Sequence, residues 1–314
     1  MANLAYIQIS RVCNQECRFC SNPANGLIRT FKETKRLIDG LVNLGYDGII
    51  FTGGEPTLCD DLGLILEYCK KNRINSRIIT NGQKLSDYYY LEYLCDSGLK
   101  HINLSIFSLK SQVQSFLSSN INSLDNIIKA LDNLSKIKII NVDINTVINK
   151  YNANHLSYNV KYLVRNYPFI NHFIWNNLDP LMNKASINKD TIPRLNDFEL
   201  ELYLSMQYLK NNGRTLRVER VPLCYMIDFA EFSTETRKIV KNEERLVYFL
   251  DGKGKVRQNK RSAWFYEKTE CCQHCLMDSI CAGLYQMDKY YSSKELFPIF
   301  LDKDKIIEKI KCDP

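Results

Sequence analysis

The stretch LAYIQISRVCNQECRFC, residues 4–20, joins a predicted β-strand to a loop that contains three cysteines. The strand is LAYIQIS, and Cys13, Cys17 and Cys20 follow it with the spacing C-x3-C-x2-C. A structural zinc site closes around four ligands, and a disulfide uses a pair of cysteines. Three thiolates therefore predict a metal centre in which one position is left open for another molecule.

Strand and helix signals alternate from this stretch to roughly residue 212, which is typical of a parallel sheet. We count six strand-then-helix units, fewer than the eight that close a full barrel. The predicted fold is therefore α/β, a partial (β/α)6 barrel of the TIM type. The carboxyl ends of parallel strands share one edge of a sheet. The cysteine loop, TGGEP at residues 52–56 and TNG at residues 80–82 should all lie at that edge.

The sequence changes character after residue 212. The segment RTLRVERVPLC predicts a strand that ends at Cys224, and residues 245–258 predict a β-hairpin turning at DGKG. A cysteine-rich segment, a predicted helix and a polar tail follow. We therefore predict two domains, a barrel at residues 1–212 and a small α+β domain at residues 213–314.

Composition excludes several classes of function. The 314 residues carry 42 Lys and Arg against 35 Asp and Glu, and these charges are interspersed, so we expect no nucleic-acid binding. No apolar run approaches the ~18 residues of a membrane span, and the start of the chain lacks the features of a secretory signal. We expect a cytoplasmic protein with no membrane contact. Its twelve cysteines then indicate metal or redox chemistry more than disulfides.

The first half of the chain resembles the radical S-adenosylmethionine (SAM) enzymes over roughly residues 4–180. The resemblance rests on the C-x3-C-x2-C spacing, on Phe19 before the third cysteine, and on GGEP after the second strand. It implies a [4Fe–4S] cluster on Cys13, Cys17 and Cys20, with SAM on the remaining iron. A zinc knuckle is the alternative for the loop alone.

The resemblance also implies a set of SAM contacts. The GGEP loop would hold the amino end of SAM, Phe19 would contact the adenine, and polar groups at later strand ends would reach the carboxylate and ribose. Strand four carries Phe107 where relatives often have a polar residue, which weakens the expected ribose contacts. The predicted SAM-binding residues are Phe19, Gly53, Gly54, Glu55, Pro56, Thr80, Asn81, Ser105 and Asn145.

A second cysteine group lies near the end of the chain, in CCQHCLMDSIC at residues 271–281. With Cys224 it resembles the auxiliary-cluster modules of radical SAM enzymes, the SPASM and Twitch domains. The number of cysteines favours the Twitch type, which implies a second [4Fe–4S] cluster on Cys224, Cys272, Cys275 and Cys281. Cys271 is an alternative to Cys272, and a zinc ribbon is the alternative for the whole group.

The resemblance implies that an electron from the cluster cleaves SAM to a 5′-deoxyadenosyl radical, which removes hydrogen from a substrate C–H bond. We expect a peptide substrate, as in the maturases of ribosomally made peptides, and an electron donor such as flavodoxin or ferredoxin. A small molecule or nucleotide, activation of a glycyl-radical enzyme, and a non-catalytic iron–sulfur or zinc protein are the alternatives. No catalytic acid, base or nucleophile is assigned. The polar segment at residues 176–197 should line the substrate opening, with Trp175, Asn176 or Asp179 facing the cavity.

Overall fold

The computed structural model describes residues 4–181, 184–250, 255–258 and 266–313. Its strands are β1 Leu4–Ser10, β2 Gly48–Gly53, β3 Asn75–Thr80, β4 His101–Ser105, β5 Asn141–Ile148, β6 Ile170–Asn177, β7 Thr215–Glu219, β8 Arg245–Tyr248, β9 Lys255–Gln258, β10 Tyr266–Glu267 and β11 Leu284–Tyr285. Its α-helices are α1 Phe31–Asn43, α2 Leu62–Lys71, α3 Tyr88–Ser97, α4 Ser111–Ser118, α5 Ser123–Leu134, α6 Leu156–Asn166, α7 Lys184–Ile187, α8 Leu195–Asn211, α9 Thr234–Lys241 and α10 Lys303–Cys312.

One curved sheet carries the fold, in the order β7-β6-β5-β4-β3-β2-β1-β8-β9. In this order every pair of neighbours from β7 through β1 to β8 is parallel, and only β9 pairs antiparallel, with β8. Each of β1 to β6 is followed by at least one helix. The predicted partial (β/α)6 barrel is therefore confirmed.

Two strands from the predicted second domain extend the barrel sheet. β7 pairs with β6 at one edge, and β8 pairs with β1 on the other side of the sheet. The predicted hairpin is present as β8 and β9, whereas its turn at residues 251–254 lies outside the described residues. The division at residues 212 and 213 therefore does not follow the limits of the sheet, and it stays a prediction.

Local sequence explains why α1 forms where it does. The Thr30 side chain accepts the backbone N–H of Glu33, and the Glu33 carboxylate accepts the backbone N–H of Thr30, which caps the helix at its start. Gly45, with φ of +81°, lets the chain turn away after the helix. Ile38 and Leu41 lie on the buried face, so the helix covers the outer surface of the sheet.

The two faces of the sheet differ in composition. Side chains that point outward, such as Ile7, Phe51 and Ile78, are fully buried beneath the helices. Side chains at the alternate positions point into the barrel, where many are polar or charged. Among the described residues, no helix has the length and apolar character needed to span a membrane.

Candidate active site

A cavity of about 680 Å³ runs through the barrel. The thiols of Cys13, Cys17 and Cys20 lie on its wall together with seven of the nine predicted SAM contacts. Those seven are Phe19, Gly53, Gly54, Thr80, Asn81, Ser105 and Asn145. The loops that follow β1, β2 and β3 therefore do meet at one edge of the sheet, as the sequence predicts.

Backbone hydrogen bonds hold the cysteine loop in place. The N–H groups of Glu16 and Arg18 donate to carbonyl groups at the end of α4, at 3.1 and 2.9 Å. The Cys13 sulfur accepts the backbone N–H of Gln15 at 3.4 Å and the side-chain amide of Asn81 at 3.7 Å. The loop is thus fixed to the barrel, and one of its thiols is tied to the end of β3.

The three thiols are sheltered from water and close to one another. Burial raises the pKa of Cys13 to about 11, with smaller contributions from Glu55 and Cys20. Burial also raises the pKa of Cys17, and Cys20 and Cys13 add to that effect. The thiols therefore form one group, and metal binding there must displace their protons.

The two glycines allow the GGEP loop to pack directly on the cysteine loop. A Cβ on Gly53 would overlap the carbonyl group of Ser10, and one on Gly54 would overlap that of Val12. Gly53 also has φ of +141°, a conformation that favours glycine. The N–H of Gly54 donates to the Ser10 carbonyl at 2.6 Å. The glycines thus bring the ends of β1 and β2 together.

Glu55 is fully buried and does not line the cavity. Its Oε1 accepts the N–H and hydroxyl of Thr57 at 3.1 and 2.7 Å and the Thr80 hydroxyl at 2.7 Å, while Oε2 accepts the N–H of Asn81 at 2.7 Å. Burial raises its pKa, and these four donors oppose that shift. Glu55 therefore joins the GGEP loop to the end of β3. Pro56 is also buried and away from the cavity, so the predicted SAM contacts of both residues are not direct in this geometry.

Aromatic side chains form one wall beside the cysteine loop. The ring of Phe19 meets that of Phe107 edge to face, with centroids 4.8 Å apart, and both line the cavity. Ser105 on β4 lies beside Asn145 on β5, and the Asn145 side-chain oxygen accepts the amide of Asn176 at 2.7 Å. An apolar surface and a row of amides thus face the same space.

Two of the side chains predicted to face the cavity do line it, Asn176 near the end of β6 and Asp179 just after that strand. The prediction is wrong for Trp175, which is 2% exposed and packs in the main core, because it points to the opposite face of β6. Asp179 accepts the Tyr285 hydroxyl at 3.0 Å. Since Tyr285 lies on β11, this bond connects the cavity to the second cysteine region.

The second cysteine group also gathers in space. The N–H of Gly283 donates to the Cys281 sulfur and that of Ile299 to the Cys275 sulfur, both at 3.3 Å. Burial raises the pKa of Cys224 to about 12, with additions from Cys281 and Cys272 and an opposing hydrogen bond from the backbone N–H of Phe297. Three of these sulfurs therefore each accept a backbone N–H.

Sequence reasoning missed the charged side chains inside the barrel. Arg77, His101, Asp143, His172 and Arg217 all line the cavity from consecutive strands. The available signal was a polar residue at every second position of otherwise apolar strands. In the part of the chain that the structure describes, no three or more His, Cys, Asp and Glu side chains are arranged to hold a metal ion.

Comparisons with known proteins agree with this geometry. A sequence model described as the Radical SAM superfamily matches residues 7–163, half of the chain. A GTP 3′,8-cyclase of Clostridium acetobutylicum is 31% identical over 157 residues, 47% of this chain and 48% of the relative. A SAM-dependent nucleotide dehydratase, RSAD2 of Oncorhynchus mykiss, is 31% identical over 159 residues, 46% of this chain and 43% of the relative. The chain spans about half the length of the curated relatives it matches.

Solved structures match a larger part of the chain. SuiB of Streptococcus suis, bound to its precursor peptide SuiA, has a TM-score of 0.68 at 18% identity and covers 90% of this chain and 72% of its own. The protein anSMEcpe with bound AdoMet has a TM-score of 0.64 at 16% identity and covers 98% of this chain and 95% of its own. Identity at this level shows a shared fold, and that fold extends beyond the barrel.

Proposed function

The chain belongs to the Radical SAM superfamily, and we propose that it cleaves SAM reductively to oxidise or rearrange a C–H bond of a peptide. The observation that carries this proposal is the single cavity shared by three thiols, the glycine loop and the Thr80–Asn81 strand end. The family uses a [4Fe–4S] cluster and SAM. When bound, they supply a 5′-deoxyadenosyl radical that removes hydrogen from the substrate.

The residues present fit these groups. Thiolate is the preferred ligand of iron–sulfur clusters, and Cys13, Cys17 and Cys20 offer three on one loop. Each thiolate of a cluster binds its own iron, so the three need a wider spacing than the ligands of one ion. The cavity volume lies within the ~300–1,000 Å³ of small-molecule sites.

The chain itself orients the reactants and excludes water. Gly53 and Gly54 leave the backbone of the β2 end on the cavity wall, and Asn81 presents its amide beside Cys13. Phe19 and Phe107 provide an apolar wall for the adenine. A dry, shaped site limits side reactions of a radical, because few other hydrogen donors can reach it.

A peptide substrate is favoured by the structural likeness, because the fold shared with peptide-bound SuiB covers 90% of this chain and so includes the region after the barrel. The second candidate is a nucleotide or another small molecule, which the names of the sequence relatives favour. Activation of a glycyl-radical enzyme has no comparable support.

We also propose that Cys224, Cys272, Cys275 and Cys281 hold a second [4Fe–4S] cluster in a Twitch-like domain at residues 213–314. Backbone N–H groups directed at sulfur are typical of iron–sulfur sites, where they tune the reduction potential. Cys272 is favoured over Cys271 because the Cys272 thiol contributes to the raised pKa of both Cys224 and Cys281, which places it near both sulfurs. A zinc ribbon on the same thiols is the alternative.

The decisive experiment is anaerobic reconstitution with iron and sulfide, followed by SAM and a reductant, either dithionite or an electron donor such as flavodoxin or ferredoxin. We expect 5′-deoxyadenosine from the wild type and none from the Cys13, Cys17 and Cys20 triple alanine variant. Cys312→Ala, which removes an exposed thiol away from the cavity, is the matched control. Product from the triple variant would contradict the proposal.

A further inference from the structure

The barrel interior below the cysteine loop is lined by charged and polar side chains. They occupy inward positions on consecutive strands: Arg77 on β3, Asn103 on β4, Asp143 on β5, His172 on β6 and Arg217 on β7. Burying such groups is unfavourable unless each one finds a partner. Their pairing therefore indicates which of them are held by the protein and which are open to a ligand.

Most of these groups have partners in the protein. The Asp143 carboxylate lies 2.6 Å from the ring of His101, and the ring of His172 lies 2.7 Å from the Thr215 hydroxyl. The Arg217 guanidinium lies 3.1 Å from the carboxylate of Asp313. These pairs account for Asp143, His172 and Arg217.

Arg77 and Asn103 differ from the rest. Among the described residues, the Arg77 guanidinium has no hydrogen bond or ion pair, and its buried Nε has no acceptor. Asn103 is 7% exposed, and its side-chain oxygen has no donor within the same residues. Buried polar groups of native proteins are nearly always paired, so two neighbouring exceptions in one cavity call for a partner from outside the chain.

The register of the strands brings these two residues together. Arg77 pairs with His101 and Ile79 pairs with Asn103 across β3 and β4, so the Cα atoms of Arg77 and Asn103 lie about 8 Å apart. Both side chains face the cavity. One ligand group placed between them can meet both.

We propose that Arg77 and Asn103 form a subsite that binds an anionic group of the substrate, a carboxylate or a phosphate, with a hydrogen-bond donor beside it. This inference rests on the proposed function, because it places part of the same substrate below the cysteine loop. The guanidinium offers a planar set of N–H donors that matches both anions. The Asn103 oxygen accepts the adjacent donor, such as a peptide N–H or a ribose hydroxyl.

The surroundings of the subsite support an anion. Burial lowers the pKa of His172 to about 4, and although Asp143 opposes this, Arg217, His101 and Arg77 lower it further. His172 is therefore neutral at pH 7, Arg217 is paired with Asp313, and the Asp143 carboxylate beside Asn103 is paired with His101, so Arg77 carries the charge that has no partner among these groups. An anion entering this space can pair with the Arg77 guanidinium, and water screens that pair only weakly inside the barrel.

The depth of the subsite limits the substrate. Arg77 precedes Asn81, which contacts the cysteine loop, by four residues of extended chain, about 13 Å. The anionic group and the reacting carbon of the substrate are therefore separated by up to roughly that length. An acidic side chain of an inserted peptide fits this limit, and so does the phosphate of a nucleotide.

The test is calorimetric titration of the anaerobically reconstituted protein with two probes. N-acetylglutamate amide carries the peptide-type carboxylate, and inorganic pyrophosphate carries the phosphate. We expect one probe to bind, and the probe that binds identifies the source of the anion. Arg77→Gln should weaken that binding roughly 10- to 100-fold, the range for losing a hydrogen bond to a charged group.

Two further variants keep the test decisive if Arg77→Gln folds poorly. Asn103→Asp adds a negative charge at nearly constant shape and should abolish binding of the probe. Arg77→Lys keeps the positive charge but lacks the planar set of N–H donors, so it should weaken binding only partially. Arg165→Gln, on the exposed surface of α6, is the charge-matched control and should bind as the wild type does. Thermal unfolding of each variant separates lost binding from lost fold.

The outcomes separate this inference from the proposed function. If the wild type forms 5′-deoxyadenosine but binds neither probe, or if the Arg77 and Asn103 variants bind as tightly as the wild type, the subsite is refuted. If Arg77-dependent binding is found without any cleavage of SAM, the subsite stands and the radical function is refuted.

Discussion

Replacing Glu55 tests whether one buried carboxylate holds the two halves of the SAM-binding edge together. Glu55→Gln keeps the shape of the side chain. Its amide oxygen can still accept the two Thr57 donors and the Thr80 hydroxyl, which bond Oε1 in the native protein. The amide nitrogen would instead face the N–H of Asn81, so two donors would meet and that N–H would lose its acceptor.

The magnitude follows from this count. Losing one charge-assisted hydrogen bond and leaving one buried N–H unpaired should cost roughly 2–4 kcal/mol in the free energy of unfolding. Glu55→Ala removes the acceptor for all four donors and should cost more, about 4 kcal/mol or above. Such losses are a large part of a typical total stability of roughly 5–15 kcal/mol.

The assay is urea unfolding under anaerobic conditions, followed by tryptophan fluorescence, to which the buried Trp175 contributes. Glu67→Gln, an exposed change of the same chemistry on α2, should leave the midpoint unchanged. We also expect both Glu55 variants to form less 5′-deoxyadenosine, since Asn81 and the GGEP loop lose their common support. If Glu55→Gln unfolds at the same urea concentration as the wild type, the carboxylate does not join these loops and the reasoning fails.

Three other predictions follow from the structure. Gly54→Ala should disrupt the contact between the GGEP and cysteine loops and lower iron content on reconstitution, whereas Gly40→Ala, on α1 with open space around it, should leave iron content unchanged. In the triple cysteine variant, about four irons with matching sulfide should remain on the second group, and further removal of Cys224 but not of Cys271 should abolish them; zinc without sulfide would contradict the second cluster. Burial raises the pKa of Glu219, but two neighbouring guanidinium groups outweigh it and hold the pKa at about 2 instead of 4.5. This carboxylate therefore stabilises the fold by about 3 kcal/mol above pH 4.5, and the difference in unfolding free energy between wild type and Glu219→Gln should shrink as pH falls from about 4.5 toward 2; an equal difference at pH 7 and pH 3 would contradict it.

The barrel and the position of its site could be predicted from sequence because both depend on local signals. Alternating strand and helix patterns define the parallel sheet, and a cysteine loop and a glycine loop that follow strands must meet at its carboxyl edge. The partners of Glu55 could not be predicted. Thr80 and Asn81 lie 25 and 26 residues further along the chain, and only the folded sheet brings them to the carboxylate.

The error at Trp175 and the omission of Arg77 have one cause. In a strand, successive side chains point to opposite faces, so the inward position of Asn176 already places Trp175 outward. The same alternation places Arg77 inward on β3, where an arginine is unusual enough to indicate a site. Following the period of two along each strand would have corrected the first residue and identified the second.

The pairing of β8 with β1 was beyond sequence reasoning because no local signal specifies a partner about 240 residues away. Its consequence, together with that of β7, is that the second cysteine group is attached to the barrel. β7 ends at Glu219, Arg220 follows with φ of +60° and lines the cavity, and Cys224 lies four residues later. A left-handed conformation at a non-glycine residue is strained and persists only where its surroundings enforce it. A metal bound at Cys224 would therefore hold the backbone next to Arg220 in place. Removing that metal should change the cavity around Arg220 more than it changes the rest of the barrel.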